Sequence, residues 1–401
     1  MALLNPLAAL AVSFIFLAVM LYRRVSLGIA LSFSAIVMGI LSMNLIDVFS
    51  ILVVTTVDSI TVSLVLVTFG IMWLSLLYKE TQALETLTKS FGGLLKNPKL
   101  IVSTLPAIIG LLPVPGGALL SAPLVETEAD KLGLGEDKKT YVNVWFRHII
   151  FPVYPMSQVL ILAAAITGAS ITSIAVSQIP VVVAMIAVGY FTVLRRPDFS
   201  DEAIPKTKFG DNLKSFLVSF SPIIAMILTV VIFEIDVSIA AFVGIALLLF
   251  ITRPHRQILI KTLSNPAIYM IALAAYGAML LRSVTIASGV SETLGQIIVE
   301  WNVNEVVLLA TLPAVLALLV GSPSGGIAVS APIIAGTLTF ASSSASLLYI
   351  SAYFGYLASP THLCLALTAD YFKCPLSKLY KILVPSLAAS FLVALLVYHI
   401  S

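Results

Sequence analysis

Long apolar runs, separated by short polar segments, follow one another along the whole chain. An apolar run of about 18 or more residues is typical of a helix that crosses a membrane. The pattern therefore predicts an all-α polytopic membrane protein with about 10 crossings. Their approximate bounds are 6–22, 26–43, 50–78, 142–167, 178–194, 214–233, 237–252, 264–282, 346–370 and 380–399.

Two further apolar segments, at about 100–126 and 305–341, are interrupted in the middle by Gly, Pro and Ser. Residues of these types end helices and form turns. Each segment is therefore predicted to be a re-entrant helical hairpin, which enters and leaves the membrane on the same side.

The composition agrees with this prediction and excludes other classes of protein. Hydrophobic residues make up 60% of the chain and charged residues 10%, whereas a soluble domain carries about 25% charged residues. The net charge of +3 comes from basic residues scattered over short loops, so no nucleic-acid partner is expected. The apolar stretch from Pro6 to Leu21 precedes Arg23 and Arg24. This order is the reverse of a signal peptide, so the stretch is expected to remain as the first crossing.

No motif in the sequence points to an enzyme or to a resident cofactor. The metalloprotease motif HExxH and the hydrolase motif GxSxG are both absent. Cys364 and Cys374, the only cysteines, show neither CxxC nor metal-ligand spacing. Neither a disulfide framework nor a thiolate metal site is therefore predicted.

The distribution of Lys and Arg predicts how the chain is oriented, because cytoplasmic loops are enriched in these residues. With the N-terminus outside, every Lys and Arg except Arg147 and Arg282 falls in a cytoplasmic loop. The outer loops then carry acidic residues such as Asp47 and Asp236, and no basic ones. The prediction is a multi-pass plasma-membrane protein with both termini outside.

The second half of the chain repeats motifs of the first half in the same order. The segment Thr104–Ala107 recurs as Thr311–Ala314, at an offset of 207 residues. After a short insertion, the pattern Gly-Gly…Ser-Ala-Pro at 116–123 recurs at 325–332. Leu/Ala-rich helices would not place Pro and Gly-Gly at matching positions by chance, so the two halves are predicted to be structural repeats.

The predicted repeats are residues 1–200 and 210–401, and each contains three crossings, a hairpin and two crossings. In each repeat the crossing after the hairpin, at about 142–167 or 346–370, is broken by Pro. An odd number of crossings gives the two repeats opposite orientations. Inverted repeats with interrupted helices at corresponding places are typical of secondary transporters.

The four breaks, at about 113–117, 151–155, 321–326 and 358–362, are predicted to form a binding site. Non-helical backbone cannot face lipid, because its N–H and C=O groups would lack hydrogen-bond partners. Each break also starts a new helix, whose N-terminus presents free N–H groups and a partial positive charge. Four such helix ends near the middle of the membrane favour an anionic ligand.

The residues predicted to bind the substrate lie at these breaks, or carry hydroxyl groups or charge close to them. They are Pro115, Gly116, Gly117, Ser121, Arg147, Tyr154, Pro155, Ser157, Ser322, Ser324, Gly325, Gly326, Ser330, Ser359, Pro360, Thr361 and His362. Backbone carbonyls at the hairpin tips, at Gly116 and Gly325, are candidate ligands for Na⁺.

Ionisable residues within the predicted crossings each have two interpretations. Arg147 is either a counter-charge for an anionic substrate or a side chain that extends to the cytoplasmic headgroups. His148 is either a proton relay or a residue that bonds a carbonyl group. His362 either touches substrate and titrates, or packs in the core with its hydrogen bonds satisfied.

Two acidic residues are candidates for ion coupling. Asp58 is a cation or proton site, a buried, hydrogen-bonded structural residue, or a residue near the outer interface. Asp370 either couples ions or pairs with Lys373 near the cytoplasmic end of its crossing. Neither spacing is diagnostic, so these interpretations stay open.

The chain resembles the ion transporter superfamily, and within it a family catalogued as a domain of unknown function. The resemblance rests on the run Trp145–His148, on the Pro-Gly-Gly…Ser-Ala-Pro pattern at 115–123 and on the overall length, and it covers nearly the whole chain. The superfamily includes carriers of di- and tricarboxylates, gluconate, lactate and arsenite, as well as Na⁺/H⁺ antiporters.

This resemblance implies a homodimer in which a transport domain moves against a scaffold. The hairpins and the two broken crossings would move together, in an elevator mechanism. The well-studied dicarboxylate carriers have Ser-Asn-Thr at both hairpin tips, whereas this chain has Pro-Gly-Gly and Ser-Gly-Gly. The difference argues against transferring their dicarboxylate substrate or their Na⁺ ligands directly.

The function predicted from the sequence is secondary active transport of a small organic anion, of the carboxylate class, coupled to Na⁺ or H⁺. No cofactor other than the coupling ion is expected. The alternative is a cation/proton antiporter that uses the acidic residues and the histidines. Both hypotheses place the protein in the lipid bilayer, and neither treats it as an enzyme.

Overall fold

The protein is helical throughout the part of the chain that a computed structural model describes, which is residues 3–95, 97–112, 117–195, 209–335 and 338–400. No strand occurs in these ranges. The first 11 α-helices are α1 Pro6–Tyr22, α2 Leu27–Ser42, α3 Leu45–Val57, α4 Ser59–Glu80, α5 Ala83–Leu94, α6 Pro98–Gly110, α7 Gly117–Lys131, α8 Glu136–His148, α9 Gln158–Thr167, α10 Ile171–Ser177 and α11 Ile179–Gly189.

The second half contains a further series of α-helices. They are α12 Phe209–Val231, α13 Val237–Thr252, α14 Arg256–Leu263, α15 Pro266–Ala287, α16 Val290–Glu300, α17 Glu305–Val320, α18 Pro323–Ile334, α19 Ser342–Ala358, α20 Leu363–Tyr371 and α21 Leu376–Ile400. Two shorter segments, a 3-10 turn at Phe151–Val153 and a π-helical turn at Tyr190–Leu194, complete the described secondary structure.

Six described helical segments are long and apolar enough to cross a membrane: Ser59–Glu80, Glu136–Thr167, Ile171–Leu194, Phe209–Val231, Pro266–Ala287 and Leu376–Ile400. Each coincides with a predicted crossing. The other four predicted crossings fall on the shorter helices α1, α2 and α13 and on the pair α19 and α20. The structure is therefore that of an all-α membrane protein, and the count of ten crossings stays a prediction.

The predicted crossing 50–78 is divided in two at Asp58. The Asp58 carboxylate accepts hydrogen bonds from the backbone N–H and the hydroxyl of Thr61, at 2.9 and 3.0 Å. It is thus the N-cap of α4, a position that Asp strongly prefers over a helix interior. The apolar residues on both sides of Asp58 hide this boundary in the sequence.

Helices on the outside of the molecule expose large apolar side chains, whereas the central ones do not. Phe250 of α13 is 70% exposed and Leu396 of α21 is 58% exposed. Exposed apolar side chains at this density match contact with lipid rather than water. By contrast, all described residues of α18 are buried except Ser324, and α19 is buried along nearly its whole length.

The helices that carry the predicted breaks pack in two groups, one of them around α19. This helix contacts α17, α18 and α21, while α6 packs against α7 and α8, and α20 packs against α7 and α8. One continuous hydrophobic core includes residues from both halves of the chain, from Leu10 to Ala394. This packing brings segments that are distant in the sequence to one central cavity.

Candidate functional site

A cavity of about 310 Å³ lies where α8, α17 and α19 end and where α9, α18 and α20 begin. Cavities of this size are typical of small-molecule sites. The lining residues are Leu111, Arg147, His148, Phe151, Tyr154, Met156, Ser157, Gln158, Val159, Ile271, Gly321, Ser322, Pro323, Ser324, Tyr353, Tyr356 and Cys364.

Arg147 provides the positive charge of the cavity. It lies in the last turn of α8 and is only 3% exposed. Its Nη1 has no hydrogen-bond partner among the described residues. Because a buried N–H donor without a partner is costly, this guanidinium is a strong candidate to pair with an anion that enters the cavity.

The guanidinium of Arg147 lies directly over Gly117, the first residue of α7. A β-carbon at position 117 would lie 3.1 Å from Arg147 Cζ and even closer to Nη2. Only glycine leaves this space for the arginine. The N-terminus of α7 and the guanidinium therefore present their positive charge to the same place.

A second helix N-terminus reaches the cavity from α18. The chain reverses at Gly321, which ends α17 with a φ of +68°, a conformation that favours glycine. Ser322 then caps α18 by accepting a hydrogen bond from the Gly325 N–H at 3.2 Å, and Pro323 takes the first helical position. Ser322 and Ser324 both line the cavity, so the start of α18 faces a bound ligand.

The third helix N-terminus at the cavity belongs to α9. Helix α8 ends at His148, and α9 begins after Tyr154 and Ser157, both of which are buried and line the cavity. The Ser157 hydroxyl lies near the Tyr349 hydroxyl without reaching hydrogen-bond geometry. It is available to a ligand.

Two histidines meet at the wall of the cavity. The rings of His148 and His362 pack edge to face, with centroids 4.7 Å apart. His148 Nδ1 lies 2.6 Å from the Val144 carbonyl oxygen. His362, the N-cap residue of α20, is fully buried, and neither ring nitrogen has a hydrogen-bond partner in the described part of the chain. The Leu357 backbone lies near the His362 ring without forming a bond of normal geometry.

The structure thus brings five predicted site residues into the wall of one cavity: Arg147, Tyr154, Ser157, Ser322 and Ser324. Gly117 and His362 lie directly behind this wall, against Arg147 and His148. Pro115 and Gly116 lie outside the described residues, and so does the Na⁺ ligand predicted at Gly116. The candidate Na⁺ ligand Gly325 does not line the cavity.

Three other predicted residues use their hydroxyl groups in hydrogen bonds within the protein. The hydroxyl of Ser121 donates to Asn143 Oδ1 at 2.6 Å, and that of Ser330 donates to the Gly326 carbonyl at 2.7 Å. Ser359 donates to the Leu318 carbonyl at 2.7 Å.

Four more predicted residues lie next to the cavity rather than in its wall. Gly326 packs against α17, and Thr361 packs against Gly321. Pro155 is buried and Pro360 is exposed, and neither lines the cavity.

The two acidic candidates lie away from the cavity. Asp58 caps α4, as described above. Asp370 is exposed, and its carboxylate lies 3.1 Å from Lys373 Nζ. This ion pair agrees with the second interpretation given above, in which Asp370 pairs with Lys373.

Sequence analysis missed Tyr353, Tyr356 and Cys364, which all line the cavity. The Tyr353 hydroxyl donates to the His148 carbonyl at 2.7 Å, and the Tyr356 ring packs against His362 in a tilted arrangement, with centroids 4.0 Å apart. The only signal for Cys364 is its position two residues after His362, which places both at the start of α20. That spacing is too common to identify a site.

A model of the family described as "Protein of unknown function (DUF401)" matches residues 6–400 of the chain. The match extends over both halves and over every helix that meets at the cavity. No curated protein matches the chain.

Proposed function

We propose that this chain, which belongs to that family of unknown function, is a secondary active transporter of a small organic anion. The substrate class is the carboxylates, and transport is coupled to Na⁺ or H⁺. The observation that carries the proposal is the buried guanidinium of Arg147. It reaches a cavity of suitable size, and its Nη1 has no partner in the described part of the chain.

The helix ends at the cavity support an anionic rather than a cationic substrate. The starts of α7, α9 and α18 all lie at the cavity or against Arg147. One helix N-terminus stabilises an anion by about 0.3–1 kcal/mol when exposed and up to about 2 kcal/mol when partly buried. Together with Arg147, these ends offset part of the cost of removing a carboxylate from water.

The walls of the cavity limit the substrate to a small, partly apolar molecule. Phe151, Met156, Tyr353 and Tyr356 are among its apolar and aromatic lining residues, while Ser157 and Ser322 provide hydroxyl groups. A monocarboxylate with a short apolar or hydroxylated body fits this mixture better than a highly charged compound, because Arg147 is the only Lys or Arg among the lining residues.

We further propose that the two halves are inverted repeats and that transport follows an elevator mechanism in a homodimer. The repeated Gly-Gly…Ser-Ala-Pro pattern supports the first part. In the structure these patterns lie on α7 and α18, each of which packs against the helix that precedes it, α6 or α17. Both hairpins border the cavity, so their movement would carry a bound ligand with them.

The cation/proton antiporter hypothesis has less support. It depends on acidic residues, but Asp58 is occupied as a helix cap and Asp370 is exposed. Within the described ranges, no Asp or Glu lines the cavity. A cation binding there would meet Arg147 without a compensating carboxylate.

A ligand screen on the purified protein tests the proposal. Its melting temperature is measured with a panel of mono- and dicarboxylates, with and without Na⁺, and ligand binding raises it by mass action. We expect a carboxylate to stabilise the wild type, Arg147→Met to lose the response, and Arg147→Lys to keep part of it. The control Arg256→Met removes the same charge from an exposed position on α14 and keeps the response.

A wild type that responds to no carboxylate, but responds clearly to another class of solute, contradicts the proposal. Proton movement in response to Na⁺ without any organic anion, measured in proteoliposomes, favours the antiporter instead.

A further inference from the structure

The structure places two imidazoles and a thiol together at the cavity. One ring nitrogen of His148, one of His362 and Sγ of Cys364 all lie within 4.8 Å of one another. The two histidines are buried, and Cys364 is half-buried and lines the cavity. We propose that these three side chains bind a thiophilic transition-metal ion, with Zn²⁺ as the representative ion.

His148 has the hydrogen-bond arrangement of a metal ligand, and both ring nitrogens of His362 lack a partner among the described residues. A ligating His usually fixes its ring through its second nitrogen, often by donating to a backbone carbonyl. His148 Nδ1 has such a partner in the Val144 carbonyl, which leaves Nε2 for a metal. His362 is fully buried, with both ring nitrogens unpartnered among the described residues. A buried, unpartnered imidazole is costly unless a ligand completes it.

The ligand types decide which metal fits. Two imidazoles and a thiolate suit Zn²⁺ or Cu⁺, whereas Na⁺, Mg²⁺ and Ca²⁺ prefer oxygen ligands. Zn–N bonds of about 2.0–2.1 Å and a Zn–S bond of about 2.3 Å place tetrahedral donor atoms roughly 3.3–3.6 Å apart. Donor atoms that already lie within 4.8 Å need to approach by about 1 Å, which small side-chain rotations supply.

Two of the three ligands lie two positions apart in the chain, and the third belongs to another helix. His362 occupies the N-cap position of α20 and Cys364 lies in its first turn, while His148 ends α8. The Tyr353 hydroxyl donates to the His148 carbonyl, and the tilted Tyr356 ring packs against His362. This packing positions both rings before a metal arrives.

The charge of Arg147 determines what completes the coordination. On binding Zn²⁺, Cys364 releases its thiol proton to solvent, and the thiolate cancels one positive charge. Because Arg147 lies beside the site, an anionic fourth ligand is favoured over water. A carboxylate substrate would fill this position from the cavity. That last step rests on the proposed function, whereas the site of three protein ligands does not.

Zinc titration of the purified protein tests the site directly. The affinity tag is removed, the protein is treated with a chelator, and Zn²⁺ is titrated by calorimetry. We expect one Zn²⁺ per chain in the wild type. Cys364→Ser and His362→Gln should weaken binding by at least 10-fold, because loss of a supporting residue alone costs about 10–100-fold. The matched control is Cys374→Ser, which removes the other cysteine, located after α20 beside Pro375, and leaves binding unchanged.

X-ray absorption spectroscopy of the zinc-loaded wild type provides a readout that does not depend on any variant. We expect one sulfur at about 2.3 Å and nitrogen ligands at about 2.0–2.1 Å. A spectrum without sulfur, an equal loss of zinc in Cys374→Ser, or no zinc binding by the wild type would each overturn the site.

The experiments distinguish failure of the metal-site proposal from failure of the transport proposal. Arg147→Met should lose the response to carboxylate but keep zinc with its sulfur ligand. If the wild type responds to carboxylates but binds no zinc, the metal site is wrong and the transport proposal stands.

Discussion

The guanidinium of Arg147 lies so close to Gly117 that a β-carbon at position 117 would be 3.1 Å from Cζ and 3.3 Å from Nη1. The contact joins α8 to the start of α7 and fixes where the buried positive charge meets the cavity. The proposed anion site depends on this fit.

Gly117→Ala should therefore impair substrate binding while the protein still folds. The added methyl group displaces the guanidinium, and we expect carboxylate affinity to fall by at least 10-fold. Binding is measured by calorimetry. Gly92→Ala is the control, because a β-carbon at position 92 meets nothing within 4 Å. Unchanged affinity in Gly117→Ala would show that the arginine position is not important for binding.

The two serines at the start of α18 should have different effects. Ser322 caps the helix through the Gly325 N–H, whereas no described hydrogen bond is made by the Ser324 side chain. Ser322→Ala should destabilise the protein by about 0.5–2 kcal/mol, the usual cost of losing an N-cap, and lower its melting temperature. Ser324→Ala should leave the melting temperature unchanged. Equal melting temperatures for both variants contradict the capping role.

Asp236, in the loop before α13, should make the stability of the protein depend on pH. Partial burial acts to raise its pKa, but hydrogen bonds from Ser238 and Ser63 more than offset this, so the pKa lies below its ordinary value. A carboxyl with a lowered pKa stabilises the folded state above its unfolded pKa, and the stabilisation is lost as pH falls through the lowered value. The melting temperature should therefore decline steeply below about pH 4.

Asp236→Asn should lower the melting temperature near neutral pH and flatten this acid decline. Melting curves from neutral pH down to about pH 3 measure both effects. Glu234→Gln, an exposed carboxylate in the same loop, is the control and should follow the wild type. A decline that is equally steep in Asp236→Asn would show that other carboxylates cause it.

Labelling of introduced cysteines tests the predicted orientation. In a Cys364→Ser, Cys374→Ser background, Leu3→Cys and Ile400→Cys should both react with an impermeant maleimide in intact cells. Both native positions are exposed, at 68% and 86%. Lys261→Cys, in a predicted cytoplasmic loop, should not react. Reaction at one terminus only contradicts an even number of crossings and, with it, the inverted repeats.

Hydropathy predicts the class of this fold well because a membrane helix needs both length and apolar composition. All six long apolar segments lie where the sequence places crossings. Hydropathy predicts helix boundaries less well where a single polar residue separates two helices, as Asp58 does between α3 and α4. The cap depends on one side-chain hydrogen bond, which a hydropathy average cannot detect.

The candidate site could be predicted in part, because Pro and Gly mark the breaks that surround the cavity. It is harder to predict from the sequence which hydroxyl groups face the cavity. Ser121 and Ser322 look alike in the sequence, yet one bonds Asn143 in the core and the other lines the cavity. Cys364 could not be recognised, because its approach to His148 depends on how α8 and α20 pack together.

The central claim is that Arg147 binds a small organic anion during transport. Uptake into proteoliposomes tests this claim most directly. The labelled carboxylate that stabilises the purified protein is supplied outside, under an inward Na⁺ or H⁺ gradient. The account predicts gradient-dependent accumulation by the wild type and by Arg256→Met, and loss of accumulation in Arg147→Met. Equal accumulation by Arg147→Met, or uptake that never exceeds equilibration under either gradient, would contradict it.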